Sequence, residues 1–190
     1  FKGQMNGTNS GYGAPIGNVF GTNTISKCVG ALNITITSTS SQSANSGGLV
    51  QSVRSGATLT LNDCMVTGSF NGTNSNAQRS WGGFIQYSDG NCILNNCLYL
   101  GTNNVTDWSG TFVGSSNGDL TLNHCFYLNS CGKLQGTQVT EKQLKNGEVT
   151  NLLQAGRTDQ CYWAQQLGEM PSFYDESKVS NANYVYYNNN

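Results

Sequence analysis

The pattern Leu-Asn-x-Cys occurs three times in this chain: in "LTLNDCMVT" from Leu59 to Thr67, in "CILNNCLYL" from Cys92 to Leu100 and in "LTLNHCFYL" from Leu120 to Leu128. Each copy alternates like a strand, is interrupted by a polar pair, and then resumes with a cysteine and an apolar residue. A degenerate fourth copy ends at Cys28. Aligned on Cys28, Cys64, Cys97 and Cys125, the copies are spaced by 36, 33 and 28 residues. A second landmark keeps step with the first: "APIG", "GGLV", "GGFI" and "GTFVG" place Ile16, Val50, Ile85 and Val113 at 12, 14, 12 and 12 residues before the cysteine. Units of this length cannot bury an apolar face alone and must stack to make a core.

Each unit offers three short strand-like runs, as in Gly83 to Tyr87, Asn91 to Leu94 and Cys97 to Gly101. Three short strands per unit predict an all-β fold, a right-handed parallel β-helix (β-solenoid) of about four coils. The coils start near residues 14, 47, 82 and 110 and fill residues 1–132. Stacked coils lie about 4.8 Å apart, so equivalent residues fall almost on top of one another. That spacing explains the polar interruption as a corner. An inward Asn there can satisfy backbone amides and bond its neighbours above and below, making Asn62, Asn95 and Asn123 a ladder with Ser26 in the first coil. Cys28, Cys64, Cys97 and Cys125 then resume the inward apolar stack as small polarizable hydrophobes.

The segments "GGLV", "GGFI" and "GTFVG", each followed by Asn-x-Cys and an apolar or aromatic residue, resemble the GLUG-type repeat. That repeat occurs in tandem in large surface and secreted proteins of bacteria, many of them gut inhabitants. The resemblance covers roughly Tyr12 to Asn129. It departs from the pattern where Gln51 and Gln86 replace the second Gly, and in the first coil, where "APIG" and "SKC" are degenerate, as terminal repeats are. The resemblance implies an extracellular, cell-surface setting and an adhesive role.

The character of the chain changes near Lys133. "VTEKQLKNGEVTNLLQAGR" offers Thr140 as N-cap with Gln143 three residues on, a capping box, and Gly156 as a C-cap. Residues 133–190 are therefore expected to form a C-terminal cap with one or two short helices closing the open end of the solenoid. The tail "YWAQQLGEMPSFYD" is similar to the segment that ends GLUG arrays.

Only 10% of the residues are charged and the formal net charge is -1, without a Lys/Arg cluster. Nucleic acid and anionic membrane surfaces are poor partners for such a chain. No apolar run is long enough to insert in a membrane. The chain begins in mid-pattern at Phe1 and ends in "YYNNN", as a piece of a longer protein would. Seven cysteines fit neither an even disulfide framework nor paired zinc ligands.

The acidic residues are scattered, whereas a β-helix lyase or hydrolase gathers two or three carboxylates on one face. Lys27, Asp63, Asn96 and His124 share one repeat position, which sets Asp63 and His124 two coils, about 10 Å, apart. His124 has no partner at ligand spacing and reads as an outward corner residue. No catalytic residue, metal site or cofactor is expected. The longest polar connections, "FNGTNSNAQRSWGG" and "GTNNVTDWSG", end in Trp81 and Trp108, with Arg79 and Asp107 nearby. Exposed, these four would make a sugar- or protein-binding edge; folded inward, the two indoles would cover the core instead. The functional expectation is a non-catalytic binding module recognising a host mucosal glycan or protein, immunoglobulins included. The alternatives are a structural spacer projecting another domain and, third, a glycan-active β-helix enzyme.

Overall fold

The structure, a computed structural model, describes residues 1–8, 12–37, 45–72, 81–104 and 109–187. It is all-β in the main, with parallel sheets and two short helices. After β1 (Lys2–Thr8), the first repeat unit holds β2 (Tyr12–Gly13), β3 (Ile16–Val19), β4 (Thr22–Ser26) and β5 (Val29–Thr37). The second holds β6 (Asn45–Gly47), β7 (Val50–Val53), β8 (Thr58–Asn62), β9 (Met65–Val66) and β10 (Ser69–Gly72). The third holds β11 (Trp81–Gly82), β12 (Ile85–Ser88), β13 (Asn91–Asn95), β14 (Leu98–Tyr99) and β15 (Thr102–Asn103). The fourth holds β16 (Val113–Ser116), β17 (Leu120–Asn123) and β18 (Phe126–Tyr127).

Corresponding strands of successive units pair in parallel, in the orders β3-β7-β12-β16, β4-β8-β13-β17 and β5-β9-β14-β18. The register joins the landmarks read from the sequence: Ile16, Val50, Ile85 and Val113 form one column, and Ser26, Asn62, Asn95 and Asn123 another. Cys92 stands in register with Leu59 and Leu120 and is buried among the core residues. It behaves there as a small apolar residue. All seven cysteines are free thiols.

The core is built from the inward residues of each column. Phe84 and Phe112 stack at 5.2 Å, and Phe70 packs 5.2 Å from Trp81 and 6.5 Å from Tyr99. The Gly-Gly pairs admit this spacing. A Cβ at Gly83 would collide with the carbonyl oxygen of Thr111, and one at Gly48 with that of Gly83, so only glycine fits between stacked backbones.

The column β9-β14-β18 is apolar on both faces. Val66, Tyr99 and Tyr127 point into the core, while Leu98 and Phe126, with the half-buried Met65, belong to a second cluster outside it. That second cluster is completed by the segment after residue 132. Here β19 (Thr137–Gln138) adds to β18, α1 (Glu141–Lys145) and α2 (Glu148–Gln154) follow, and β20 (Trp163–Gln166), β21 (Ser172–Phe173) and β22 (Tyr184–Tyr186) form an antiparallel sheet in the order β21-β20-β22. Val139, Leu144, Val149, Leu153 and Trp163 pack on Leu98 and Phe126. The helices thus lie against the side of the stack, not across its open end. The outward apolar stripe requires this, since uncovered it would be a large hydrophobic patch.

The open end is closed by a smaller device. In the repeat units, the amides of Leu49 and Val50 donate to the Phe84 carbonyl, and those of Phe84 and Ile85 to the Phe112 carbonyl. Beyond the fourth unit, the side chain of Gln135 takes the place of the missing strand: its Oε1 accepts from Phe112 N and Val113 N at 2.8 Å each, and its Nε2 donates to Val113 O at 3.0 Å.

The capping box is present, with Thr140 accepting from Gln143 N and Gln143 accepting from Thr140 N. The C-cap of α2 falls one residue earlier than expected, on Ala155, which with Gly156 takes the left-handed conformation. Among the described residues, no helix is long and apolar enough to cross a membrane.

Candidate functional site

Of the four residues expected to form an aromatic edge, Arg79, Asp107 and Trp108 lie outside the described residues. Trp81 is fully buried, its ring against Phe70. It therefore presents no face for stacking on a sugar or a partner. As the first residue of β11, Trp81 pairs in register with Ser46, and its indole is part of the buried core.

The corner column has a more definite geometry. Lys27, Asp63, Asn96 and His124 all adopt the left-handed conformation, with φ of 54°, 52°, 54° and 49°. Asp, Asn and His are the non-glycine residues most tolerant of it, so three of the four units carry a suitable residue. This single residue turns the chain between the Asn and the Cys. His124 is exposed, at the outward turn position.

Beside the corner runs the asparagine row. Asn123 Nδ2 donates to Asn95 Oδ1 and Asn95 Nδ2 donates to Asn62 Oδ1, at 2.8 Å each. The row does not lie inside the coil, as the inward reading required. Its members alternate with the inward leucines Leu61, Leu94 and Leu122, which puts them on the outer side of the strand, half-buried at Asn62 and Asn95 and exposed at Asn123. The cysteines that follow are buried at Cys64, Cys97 and Cys125 and half-buried at Cys28. Each thiol donates to the carbonyl two residues back, and Cys64, Cys97 and Cys125 also reach Ile25, Leu61 and Leu94 of the preceding unit. Burial pushes the Cys97 thiol well above its ordinary value. At Cys97 the thiol is thus a structural core element and not a reactive one.

The C-terminal segment meets this corner through Asp63. Arg157 Nη1 and Nη2 donate to the two carboxylate oxygens at 2.9 and 2.7 Å, and Trp163 Nε1 donates to Oδ1 at 2.8 Å. The Asp63 side chain is only 4% exposed, so its charge is largely held out of water. Arg157 is fixed in turn by the carbonyls of Leu153 and Gln154 and lies 3.8 Å above the Tyr162 ring.

Between this clamp and the first repeat unit opens a cleft of about 310 Å³ lined by Ser26, Lys27, Asn62, Asp63, Asn96, Arg157, Gln160 and Tyr162. Lys27 Nζ lies 5.1 Å from the Tyr162 ring centre. Among the described residues it has no carboxylate at ion-pair distance. At the rim the Tyr162 hydroxyl donates to Asp159 at 2.7 Å, which holds that carboxyl below its usual range. The sequence placed Lys27, Asp63 and Asn96 at one repeat position. It gave no sign that Arg157, Gln160 and Tyr162 come to the same place, because that contact spans 94 residues from Asp63 to Arg157.

A second, smaller cavity of about 270 Å³ lies within the C-terminal segment, among Thr150, Asn151, Trp163, Tyr186 and Tyr187. Its central polar groups are already engaged: Gln154 bonds to Arg157, Gln160 and Tyr162, and Thr150 to Gln165. Where β12 turns into β13 and β16 into β17, Tyr87 donates to Asp89, and Asn117 bonds both at 2.9 Å. These bonds hold the half-buried Asp89 carboxyl below its usual range. No group of three or more His, Cys, Asp or Glu suited to hold a metal occurs among the described residues.

Compared with protein-family models, curated proteins and solved structures, the chain matches none.

Proposed function

We propose that this chain is a right-handed β-solenoid module of about four coils, of the GLUG-repeat kind, from a bacterial cell-surface or secreted protein. Its role is to bind a host mucosal ligand, a glycan or a protein such as an immunoglobulin, without catalysis. The stacked parallel columns and their shared register support the solenoid reading, and the repeat residues support the family and its extracellular setting. The observation that carries the binding role is the cleft at the joint between the corner column and the C-terminal segment. It is concave and polar, and several hydrogen-bonding groups on its wall make no protein hydrogen bond among the described residues.

A non-catalytic role is supported by how the carboxylates are used. The one that lines the cleft, Asp63, has both oxygens occupied by Arg157 and Trp163. A carboxylate so held is a docking element and not a proton donor or nucleophile.

The test is a screen of the purified chain against a glycan array and a panel of secreted mucosal proteins including immunoglobulins. Circular dichroism of the same sample would establish the fold. Saturable binding to any member supports the module. A folded sample that binds nothing on either panel refutes the binding role and leaves a spacer that projects another domain.

A further inference from the structure

The asparagine row has a direction. Each Nδ2 donates toward the first unit, from Asn123 to Asn95 and from Asn95 to Asn62. Hydrogen bonds in such a chain polarise one another, so the donor end carries the positive end of the row. That end is Asn62 Nδ2, which has no acceptor among the described residues, because the register sets the shorter Ser26 opposite Asn62 and the hydroxyl makes no bond to it. Asn62 Nδ2 opens into the cleft described above.

Two further groups on the same wall are unsatisfied. Lys27 brings a full positive charge with no carboxylate partner. Asn96 is only 8% exposed, lines the cleft, and its side-chain amide makes no hydrogen bond among the described residues. The carboxylate on the wall, Asp63, is neutralised by Arg157, and that of Asp159 at the rim is bonded to Tyr162. The free chemistry is thus one cation and several N–H donors converging on one space, with the Tyr162 ring at its side. Such an arrangement accepts a carboxylate, and the amides of Asn96 and Gln160 can take adjacent hydroxyls.

We infer that the cleft binds the carboxylate end of an acidic sugar, a hexuronate residue, with Lys27 and Asn62 on the carboxylate and Asn96 and Gln160 on the ring hydroxyls. The cleft has room for one pyranose. This inference rests on the reading of the chain as a glycan-binding module and names its ligand class.

The experiment is calorimetric and NMR titration of the whole chain with methyl α-glucuronide and methyl α-galacturonide. Methyl α-glucoside serves as the neutral isostere and sodium acetate as the bare carboxylate. Saturable uronide binding at least tenfold tighter than either control is expected, with amide shifts confined to the cleft residues. Lys27→Gln should weaken it at least tenfold. Asn62→Asp keeps an acceptor for Asn95 but replaces the donor by a like charge, and should abolish it. Lys2→Gln, on exposed β1 and not part of the cleft lining, should change nothing. Circular dichroism and the urea midpoint would establish that the variants fold.

Equal affinity for the glucoside, equal affinity for acetate, or an unaltered Lys27→Gln variant would each overturn the inference. Silent uronides beside a saturable hit elsewhere on the glycan or protein panel would overturn it and leave the binding module standing. Silence throughout would overturn both.

Discussion

Asp63→Asn isolates the clamp that holds the C-terminal segment to the repeats. The substitution keeps the corner intact, since Asn is at home in the left-handed conformation and Asn96 occupies the equivalent place with a φ of 54°. What it removes is the charge that receives two bonds from Arg157 and one from Trp163. Removing one partner of a buried pair typically costs about 3–5 kcal/mol. Arg157 is 25% exposed and keeps the carbonyls of Leu153 and Gln154, which moderates the loss to about 2–4 kcal/mol. Urea denaturation of Asp63→Asn, Arg157→Gln and the double variant forms a cycle that separates the pair from its surroundings. Emission from Trp163, fully buried in the docked state, should shift to the red before the repeats unfold. A coupling energy below about 0.5 kcal/mol, the range of exposed pairs, would refute the view that this clamp docks the segment.

Gln135→Ala leaves the Phe112 and Val113 amides at the stack's open end without their acceptor and should cost about 1–3 kcal/mol; hydrogen exchange should speed up first at Val113. Gln135→Glu keeps that acceptor and loses only the donor to Val113 O, so its loss should be the smaller one. Asn95→Ala breaks the row on both sides and should cost about 1–2 kcal/mol in urea, less than a buried pair because the row lies on the outer face. Burial pushes the Cys131 thiol from 9.0 up to about 12. The folded state therefore holds this proton after the unfolded chain has released it, and the contribution present below about pH 9 should fade as pH rises toward 12. Stability of Cys131→Ala relative to the parent, followed from pH 8 to 11, would show the difference shrinking; a difference that grows with pH would contradict the burial. Native alkylation at pH 8 should mark the half-buried Cys28 and Cys161 long before Cys131.

The sequence by itself determined the repeat and its register. Two landmarks that keep step can be satisfied together only if equivalent strands stack, and the columns Ile16-Val50-Ile85-Val113 and Ser26-Asn62-Asn95-Asn123 are those landmarks in space. The capping box at Thr140 was equally legible, because it depends on residues three apart. So, in hindsight, was the left-handed corner, signalled by Asp, Asn and His at one position.

Only the tertiary structure decided four other matters. Alternation alone fixes which residues share a strand face, but not which face meets a partner. The asparagines proved outward because Leu61, Leu94 and Leu122 claim the inside. Trp81 went into the core against Phe70, which no local pattern records. The side-on docking of the helices follows from the doubly apolar runs "CLYL" and "CFYL", yet the partner surface lies far along the chain. The cleft at that joint, with Lys27 and Asn62 on one wall and Arg157 and Tyr162 on the other, exists only once packing has brought them together. Periodicity is a local property that a single chain displays in order; the meeting of two surfaces is set by which burial lowers the free energy most, and that choice is made by the fold as a whole.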